Sequence, residues 1–234
     1  MRELVVVRHG QSISNKENRF TGWADVGLSE TGIEEAEQAG TLLRTEGYCF
    51  DTCYTSVLKR AIKTLWIILE KLDLMYLPVV CTWRLNERHY GALQGQSKTE
   101  VGEIYGDEQL HRWRRGYEDR PPALKEDDSR SPAFDPRYSH LASPDLPLTE
   151  SLQDTLGRLI PFWEQAISTD LKAGRRVLVS AHGNSLRALI KYLDNLNAEE
   201  VTRLEIPTGI PIVYHFSDDL RNPSWHYLGQ PERD

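Results

Sequence analysis

Glu3-Leu4-Val5-Val6-Val7-Arg8-His9-Gly10 is the stretch from which the fold can be read. Its first five residues are almost wholly apolar and rich in β-branched side chains. The run stops at His9-Gly10, as a strand buried on both faces does. The same layout returns at Arg176-Val177-Leu178-Val179-Ser180-Ala181-His182-Gly183. Between the two, helical and strand-like segments alternate. Gln11 to Gly27 has little periodicity and reads as loop. A helix is expected from Thr31, where Thr31-x-x-Glu34 fits a capping box and Ile33, Ala36, Gly40 and Leu43 share one face. Gly47 ends it. Asp51 to Thr55 reads as a second strand, Leu58 to Leu72 as a helix and Leu77 to Thr82 as a third strand. This β-α-β-α order predicts an α/β protein with a mostly parallel central sheet flanked by helices on both faces.

Two short helices are expected within Lys98 to Arg115. Residues 121–147 then carry six of the twelve prolines. The α/β pattern resumes afterwards, so about 98–150 is an irregular insertion in a single domain covering 1–234 rather than a linker. Leu152, Leu156, Leu159, Ile160, Trp163 and Ile167 form the stripe of one long helix. Arg176 to Ala181 is the fourth strand, Ser185 to Leu193 a helix, and Pro211 to Phe216 the last strand.

The chain of 234 residues has 28 basic and 35 acidic side chains, a formal charge of −7. That balance argues against a nucleic-acid partner. No apolar run nears the roughly 20 residues of a membrane helix, and Met1-Arg2-Glu3-Leu4 opens directly into a strand with no signal-peptide layout. Three cysteines, Cys49, Cys53 and Cys81, do not make a disulfide framework. Cys49 and Cys53 are expected to be ordinary buried thiols. The expected location is the cytoplasm.

Ligands of open α/β sheets bind beyond the carboxyl ends of the strands, where His9 and His182 both fall. If those two strands are neighbours, the imidazoles face each other. Arg8 ends a buried strand, where an unpaired charge is costly, so it needs an anion. Arg60 opens the second helix, Lys98 starts another and Arg114-Arg115 ends the next. Each of these taken singly suits a solvated surface. Glu87 lies in the loop Arg84-Leu85-Asn86-Glu87-Arg88-His89-Tyr90-Gly91, beyond the third strand. It is either a surface ion pair with Arg84 or Arg88, or a general acid/base. There is no Gly-rich phosphate loop and no carboxylate cluster for magnesium. Phosphate chemistry here would use arginine and histidine without a metal, with histidine as a covalent phosphoryl acceptor.

Val7-Arg8-His9-Gly10-Gln11-Ser12 resembles the signature of the histidine phosphatase superfamily. Asn15 to Trp23 (NKENRFTGW), Leu85 to Gly95 (LNERHYGALQG) and Trp113-Arg114-Arg115 are more specific. So are Ala181 to Arg187 (AHGNSLR) and Ile206 to Pro211 (IPTGIP). These blocks resemble the phosphoglycerate mutases that depend on 2,3-bisphosphoglycerate, and they cover nearly the whole chain. The resemblance implies that His9 carries a phosphoryl group as phosphohistidine. His9 passes it to 3-phosphoglycerate, and the bound 2,3-bisphosphoglycerate returns its other phosphate to leave 2-phosphoglycerate. Glu87 would move the hydroxyl proton, and His182, Arg8 and Arg60 would stabilise charge on the transferring group. The implied ligand positions also include Gly10, Gln11, Ser12, Ile13, Ser14 and Asn15 after the nucleophile, and Thr21 and Gly22 beyond them. Arg88, His89, Tyr90, Lys98, Arg114, Arg115, Gly183 and Asn184 complete the set. No metal is implied, the partners are the small phosphoglycerates, and a homodimer is compatible with the family.

Two features depart from that pattern. Ser14 stands where a tryptophan usually precedes the asparagine, and the sequence ends soon after Tyr227-Leu228-Gly229 where many relatives carry a longer tail. A covering tail excludes water, so both departures bear on the ratio of transfer to hydrolysis. Ser12, Thr21 and Gly22 favour the glycolytic mutase over bisphosphoglycerate mutases, which have glycine at the first site and bulkier residues at the others. A broad-specificity phosphatase fits the Leu85–Gly95 block less well. A non-catalytic phospholigand binder would be expected to lack His9, Glu87 or His182. A metal enzyme with His9 and His182 as ligands would be expected to have neighbouring carboxylates.

Overall fold

A computed structural model describes residues 2–221 and 223–229. β1 (Arg2–Arg8) is followed by a four-residue helix α1 (Ile13–Lys16), α2 (Glu30–Thr45), β2 (Thr52–Thr55), α3 (Lys59–Leu72) and β3 (Val79–Cys81). Next come α4 (Lys98–Tyr105), α5 (Asp107–Arg115), α6 (Leu152–Phe162), α7 (Ser168–Lys172) and β4 (Val177–Ala181). α8 (Gly183–Leu193), α9 (Ala198–Arg203), β5 (Pro211–Phe216) and β6 (Ser224–Tyr227) complete the order. One sheet has the strand order β3-β2-β4-β1-β5-β6. β3, β2, β4 and β1 are mutually parallel, whereas β5 pairs antiparallel with both β1 and the edge strand β6.

The alternation of side chains across this sheet makes two cores. Leu4 and Val6 of β1, Val177 and Val179 of β4, and Ile212 and Tyr214 of β5 face one way. They pack with Leu159 of α6 and with Leu186, Leu189 and Ile190 of α8. Val5, Val7, Leu178 and Val213 face the other way, onto Ala39 and Leu43 of α2 and Leu65, Ile68 and Leu69 of α3. The apolar runs of β1 and β4 are continuous because both of their faces are covered. Each fully buried Leu or Val contributes about 2 kcal/mol of transfer free energy. No helix among the described residues is long and apolar enough to cross a membrane.

Several sequence expectations change in detail. α2 starts at Glu30, before Thr31, because Ser29 is in extended conformation and its Oγ accepts the Gly32 N–H. Thr31 therefore lies within the first turn. α3 has no cap from its own neighbours; Asp25 Oδ1 accepts the Lys59 N–H at 2.8 Å across the fold. α1 interrupts the expected loop, capped by Ser12. The long helix from Leu152 loosens into a π turn at Trp163–Ile167 after Pro161, which lacks an N–H to donate. α8 begins at Gly183 rather than Ser185, with His182 at its N-cap. α9 and β6 have no counterpart in the sequence reading. Cys53 is buried as expected, but Cys49 is exposed. Between α5 and α6 the chain makes only short 3₁₀ turns, three of them, each with a proline in its first turn.

Candidate active site

The parallel pairing of β1 with β4 aligns Val7 with Ser180 and Arg8 with Ala181. His9 and His182 each follow one residue later, and the His9 N–H donates to Ala181 O at 2.9 Å. The two rings therefore meet edge to face, with centroids 4.9 Å apart. His9 is 3% exposed and His182 is fully buried. Burial is the main cause that pushes both far below the ordinary histidine value, and the Arg60 charge adds to it in each. Both are neutral at physiological pH. His9 Nδ1 lies 2.6 Å from its own neighbour's carbonyl, Gly10 O. A proton on Nδ1 satisfies that contact and leaves a lone pair on Nε2. Arg60 Nε donates towards that Nε2 at 3.3 Å. The Nε2 of His182 is held at 2.7 Å by Ser56 Oγ, from the turn after β2.

Arg60 is 1% exposed. Its other nitrogens donate to Gly22 O and Ala24 O at 2.8 and 3.0 Å. Gly22 has φ +57°, and an added Cβ would meet Gln94 Oε1 at 2.2 Å, so glycine is required there. Burial lowers Arg60 to about 10. Arg8 Nη1 donates to Ile206 O at 2.7 Å, while its Nε is buried without a partner. Burial lowers Arg8 as well.

Arg8 lines a cavity of about 120 Å³. Six of its lining residues are cationic, Arg8, Arg19, Lys98, Arg114, Arg115 and Arg187, and Glu87 alone is anionic. Burial and the Arg114 charge lower Lys98 to about 8, and burial lowers Arg187 to about 9. Like charges crowded this way are costly unless an anion joins them. Glu87 does not pair with Arg84 or Arg88. Its Oε1 accepts the backbone N–H of Arg88 at 2.7 Å and that of Asn184 at 3.2 Å. Asn184 lies in the first turn of α8, so the positive end of the helix dipole faces the carboxylate.

Of the residues expected from sequence, Arg8, Asn15, Thr21, Gly22, Glu87, Tyr90, Lys98, Arg114, Arg115, Gly183 and Asn184 line the cavity. His9, Arg60 and His182 are not among its lining residues and are grouped by the Arg60–His9 hydrogen bond and the His9–His182 ring contact. Others do not reach the cavity. Gly10, Gln11, Ser12, Ile13 and Ser14 bend away from the lining. The Gly10 N–H donates to Thr64 Oγ1 and the Gln11 N–H to Glu35 Oε2. Ser12 accepts the Asn15 N–H, Ile13 is exposed and Ser14 is buried inside α1. Arg88 spends its guanidinium on Gly116 O, Tyr90 Oη and Arg114 O. His89 Nδ1 accepts the Gly91 N–H, and burial lowers this histidine to about 3. Both are fully buried braces behind the lining.

Arg19, Phe20, Arg187 and Ile206 line the cavity and were not singled out from sequence. Arg187 had a readable signal: it lies one helical turn after Asn184, whose Oδ1 accepts its Nη1 at 2.9 Å. Ser56 had none. No group of three or more His, Cys, Asp or Glu that could hold a metal occurs among the described residues.

The family sequence model of the histidine phosphatase superfamily (branch 1) matches residues 4–133 and 124–223. Solved structures with the same fold include mycobacterial glucosyl-3-phosphoglycerate phosphatase in complex with VO3. It has TM-score 0.71 and 23% identity, with 97% of each chain covered. A putative alpha-ribazole-5'-P phosphatase from Escherichia coli K-12 has TM-score 0.72 and 22% identity, with 98% of each chain covered. Bacillus stearothermophilus YhfR has TM-score 0.70 and 19% identity, covering 96% of this chain and 94% of the other. At these identities the likeness speaks for the fold, and the profile match for the family. The chain belongs to the histidine phosphatase superfamily, branch 1.

Proposed function

We propose that this enzyme interconverts 3-phosphoglycerate and 2-phosphoglycerate, with 2,3-bisphosphoglycerate as primer. The observation that carries this reading is the surplus of cations. Arg60 Nε at His9 Nε2 and the unpartnered Arg8 Nε suit one phosphoryl group at His9. Lys98, Arg114, Arg115 and Arg187 add further positive charge to the same cavity. That suits a small ligand with two or more anionic groups. The buried donors Arg8 Nε and Arg187 Nε lack partners, and phosphate or carboxylate oxygens would satisfy them. The residues thus fit a bisphosphorylated primer, which when bound supplies the phosphoryl group that charges His9.

His9 acts through the Nε2 lone pair. As the N–P bond forms, the P–O bond to the departing oxygen breaks, and Glu87 gives that oxygen its proton. In the reverse direction Glu87 takes the proton from the attacking hydroxyl. Arg60 Nε, now on Nε2, moves its hydrogen bond to a phosphoryl oxygen. Arg8 and His182 stabilise the charge that spreads over the equatorial oxygens. The same reading carries a cytoplasmic setting with no nucleic-acid or membrane partner. A homodimer is compatible with the same reading, and light scattering would give the mass in solution.

A second reading is hydrolysis, in which water takes the place of the acceptor hydroxyl. The names of the fold relatives, phosphatases of glucosyl-3-phosphoglycerate and of an alpha-ribazole phosphate, favour it. The deciding assay follows 3-phosphoglycerate in EDTA, with and without trace 2,3-bisphosphoglycerate, while free phosphate is recorded. Isomerisation that the primer stimulates, with little phosphate released, supports the mutase. Phosphate release without isomerisation overturns it in favour of a phosphatase.

A further inference from the structure

Arg158 of α6 lies outside the cavity and is paired with Glu150, the two side chains being 7% and 4% exposed. A buried ion pair is weak evidence for stability, because desolvation offsets the attraction. The use of its donors points elsewhere. Nε and Nη2 donate to the Glu150 carboxylate at 2.6 and 3.0 Å. Nη1 donates to Trp83 O and Arg84 O at 3.3 and 2.7 Å. Nη2 also donates to Asn86 O and Glu87 O, each at 3.0 Å. One guanidinium thus gathers four carbonyls from five consecutive residues, the last of them that of Glu87. Trp23 Nε1 donates to the same Glu87 O at 2.6 Å. On the far side of Glu87, Glu150 exchanges two hydrogen bonds with His89. Its own N–H donates to His89 O at 2.9 Å, and its Oε2 accepts the His89 N–H at 2.8 Å.

The main chain of Glu87 is therefore fixed on both flanks by one ion pair, neither member of which lines the cavity. We infer that Arg158 and Glu150 are positioning residues, which hold the Glu87 backbone so that its carboxylate stands at the ligand hydroxyl. This inference rests on Glu87 as the proton-transfer group. Loops that lack a ladder of their own need such an outside collector for their carbonyls. A lysine cannot replace the arginine, because its three donors radiate from one point and do not form a planar fork. Arg158→Lys keeps the charge opposite Glu150 but loses the reach to four carbonyls.

The test measures kcat and KM for 3-phosphoglycerate in the wild type, Arg158→Lys, Glu87→Gln and the double variant. It also measures phosphorylation of His9 by 2,3-bisphosphoglycerate, with mass spectrometry. A displacement near 1 Å at the reacting group costs about 10²-fold. In Arg158→Lys, kcat should fall by that order while KM stays within about twofold, because the cationic lining is untouched. The double variant should be no slower than Glu87→Gln alone. Losses that multiply in the double variant would overturn the inference, as would a raised KM with kcat intact. If Glu87→Gln is as fast as the wild type, the role of Glu87 itself fails and the inference falls with it; that result does not depend on Arg158. Should Arg158→Lys fail to fold, Trp23→Phe removes one donor from Glu87 O, and a fall in its kcat absent from the Glu87→Gln background carries the same meaning.

Discussion

The two strand–His–Gly corners are near twins in sequence and differ in what surrounds them. His9 leads into an irregular turn and the short α1; its Nδ1 is bound by its own neighbour and its Nε2 by Arg60. His182 leads directly into the eleven-residue α8, stands at that helix's N-cap and has its Nε2 occupied by Ser56. Both are neutral. In His9 the contact at Nε2 is a charged donor that an anion can draw away. In His182 it is a hydroxyl inside the protein. On the proposed reading the motif marks the place of the chemistry, and groups remote in sequence, Arg60 and Ser56, set the two histidines apart.

The largest expected effect breaks the symmetry outright. His9→Ala should fold and lose turnover by about four orders of magnitude, because the covalent step has no acceptor. His182→Ala should lose about 10² to 10³-fold, the cost of one charge-stabilising contact, and should still label at His9. Rapid-quench phosphate labelling followed by peptide mapping reads both. Equal labelling in His9→Ala and wild type would exchange the roles of the two histidines.

The sequence exposed the pair because continuous apolar runs and glycine stops are local signals, and β1 and β4 carry them in full. Arg8, Arg60 and Glu87 were legible for the same reason, since each sits at the end of an element or just beyond one. The braces were not. Ser56, Trp23, Glu150 and Arg158 act across separations of roughly 60 to 130 residues, as in the Ser56–His182 and Trp23–Glu87 contacts. No period encodes such pairing. Arg88 and His89 are expected at the ligand because they share a motif with Glu87, but both side chains are fully buried and outside the cavity lining. The α2 cap was misplaced by two residues because Thr31-x-x-Glu34 satisfies the pattern while Ser29 has the extended backbone that a cap needs. β6 is short and half-buried, and it follows a turn beyond β5, which the sequence reads as the last strand.

The two glycines extend the comparison. A Cβ on Gly10 would lie 2.0 Å from Gly32 O, against the backbone of α2. Neither backbone can yield cheaply, so Gly10→Ala should cost about 3 kcal/mol, lowering Tm by roughly 10 °C. Differential scanning calorimetry measures it; an unchanged Tm would mean that the loop after His9 is not pinned to α2.

Stability against pH treats the two histidines alike, which sharpens the contrast with activity. His9 and His182 are depressed by burial. Above the unfolded value near 6.5 neither state binds the proton, and there is no penalty. As pH falls below about 6.5 the unfolded chain takes up protons that the folded chain refuses. Stability then declines until the lower folded values are reached, by up to about 1.4 kcal/mol per pH unit for each histidine. His89 adds a third contribution with the same sign. Urea unfolding between pH 7 and 5 should show the decline, and His9→Ala and His182→Ala should each remove an equal share of its slope. A slope unchanged in either variant would mean that this imidazole is not held neutral in the folded protein.

Gly183 carries the smallest expected effect on folding. Its added Cβ would meet nothing nearer than Arg8 Nε at 3.4 Å, an ordinary contact, and it opens a helix in which alanine is well tolerated. Gly183→Ala should therefore fold with Tm unchanged within about 2 °C, unlike its counterpart at Gly10. Its methyl group would stand in the cavity beside the Arg8 guanidinium, where an anion approaches the backbone. An extra methyl at such a contact costs about tenfold in binding, so KM should rise by that order with kcat changed less. If KM is unaltered, the ligand does not approach the start of α8. The glycine after His182 would then have no part in ligand approach, and the resemblance between the two corners would stop at the histidines.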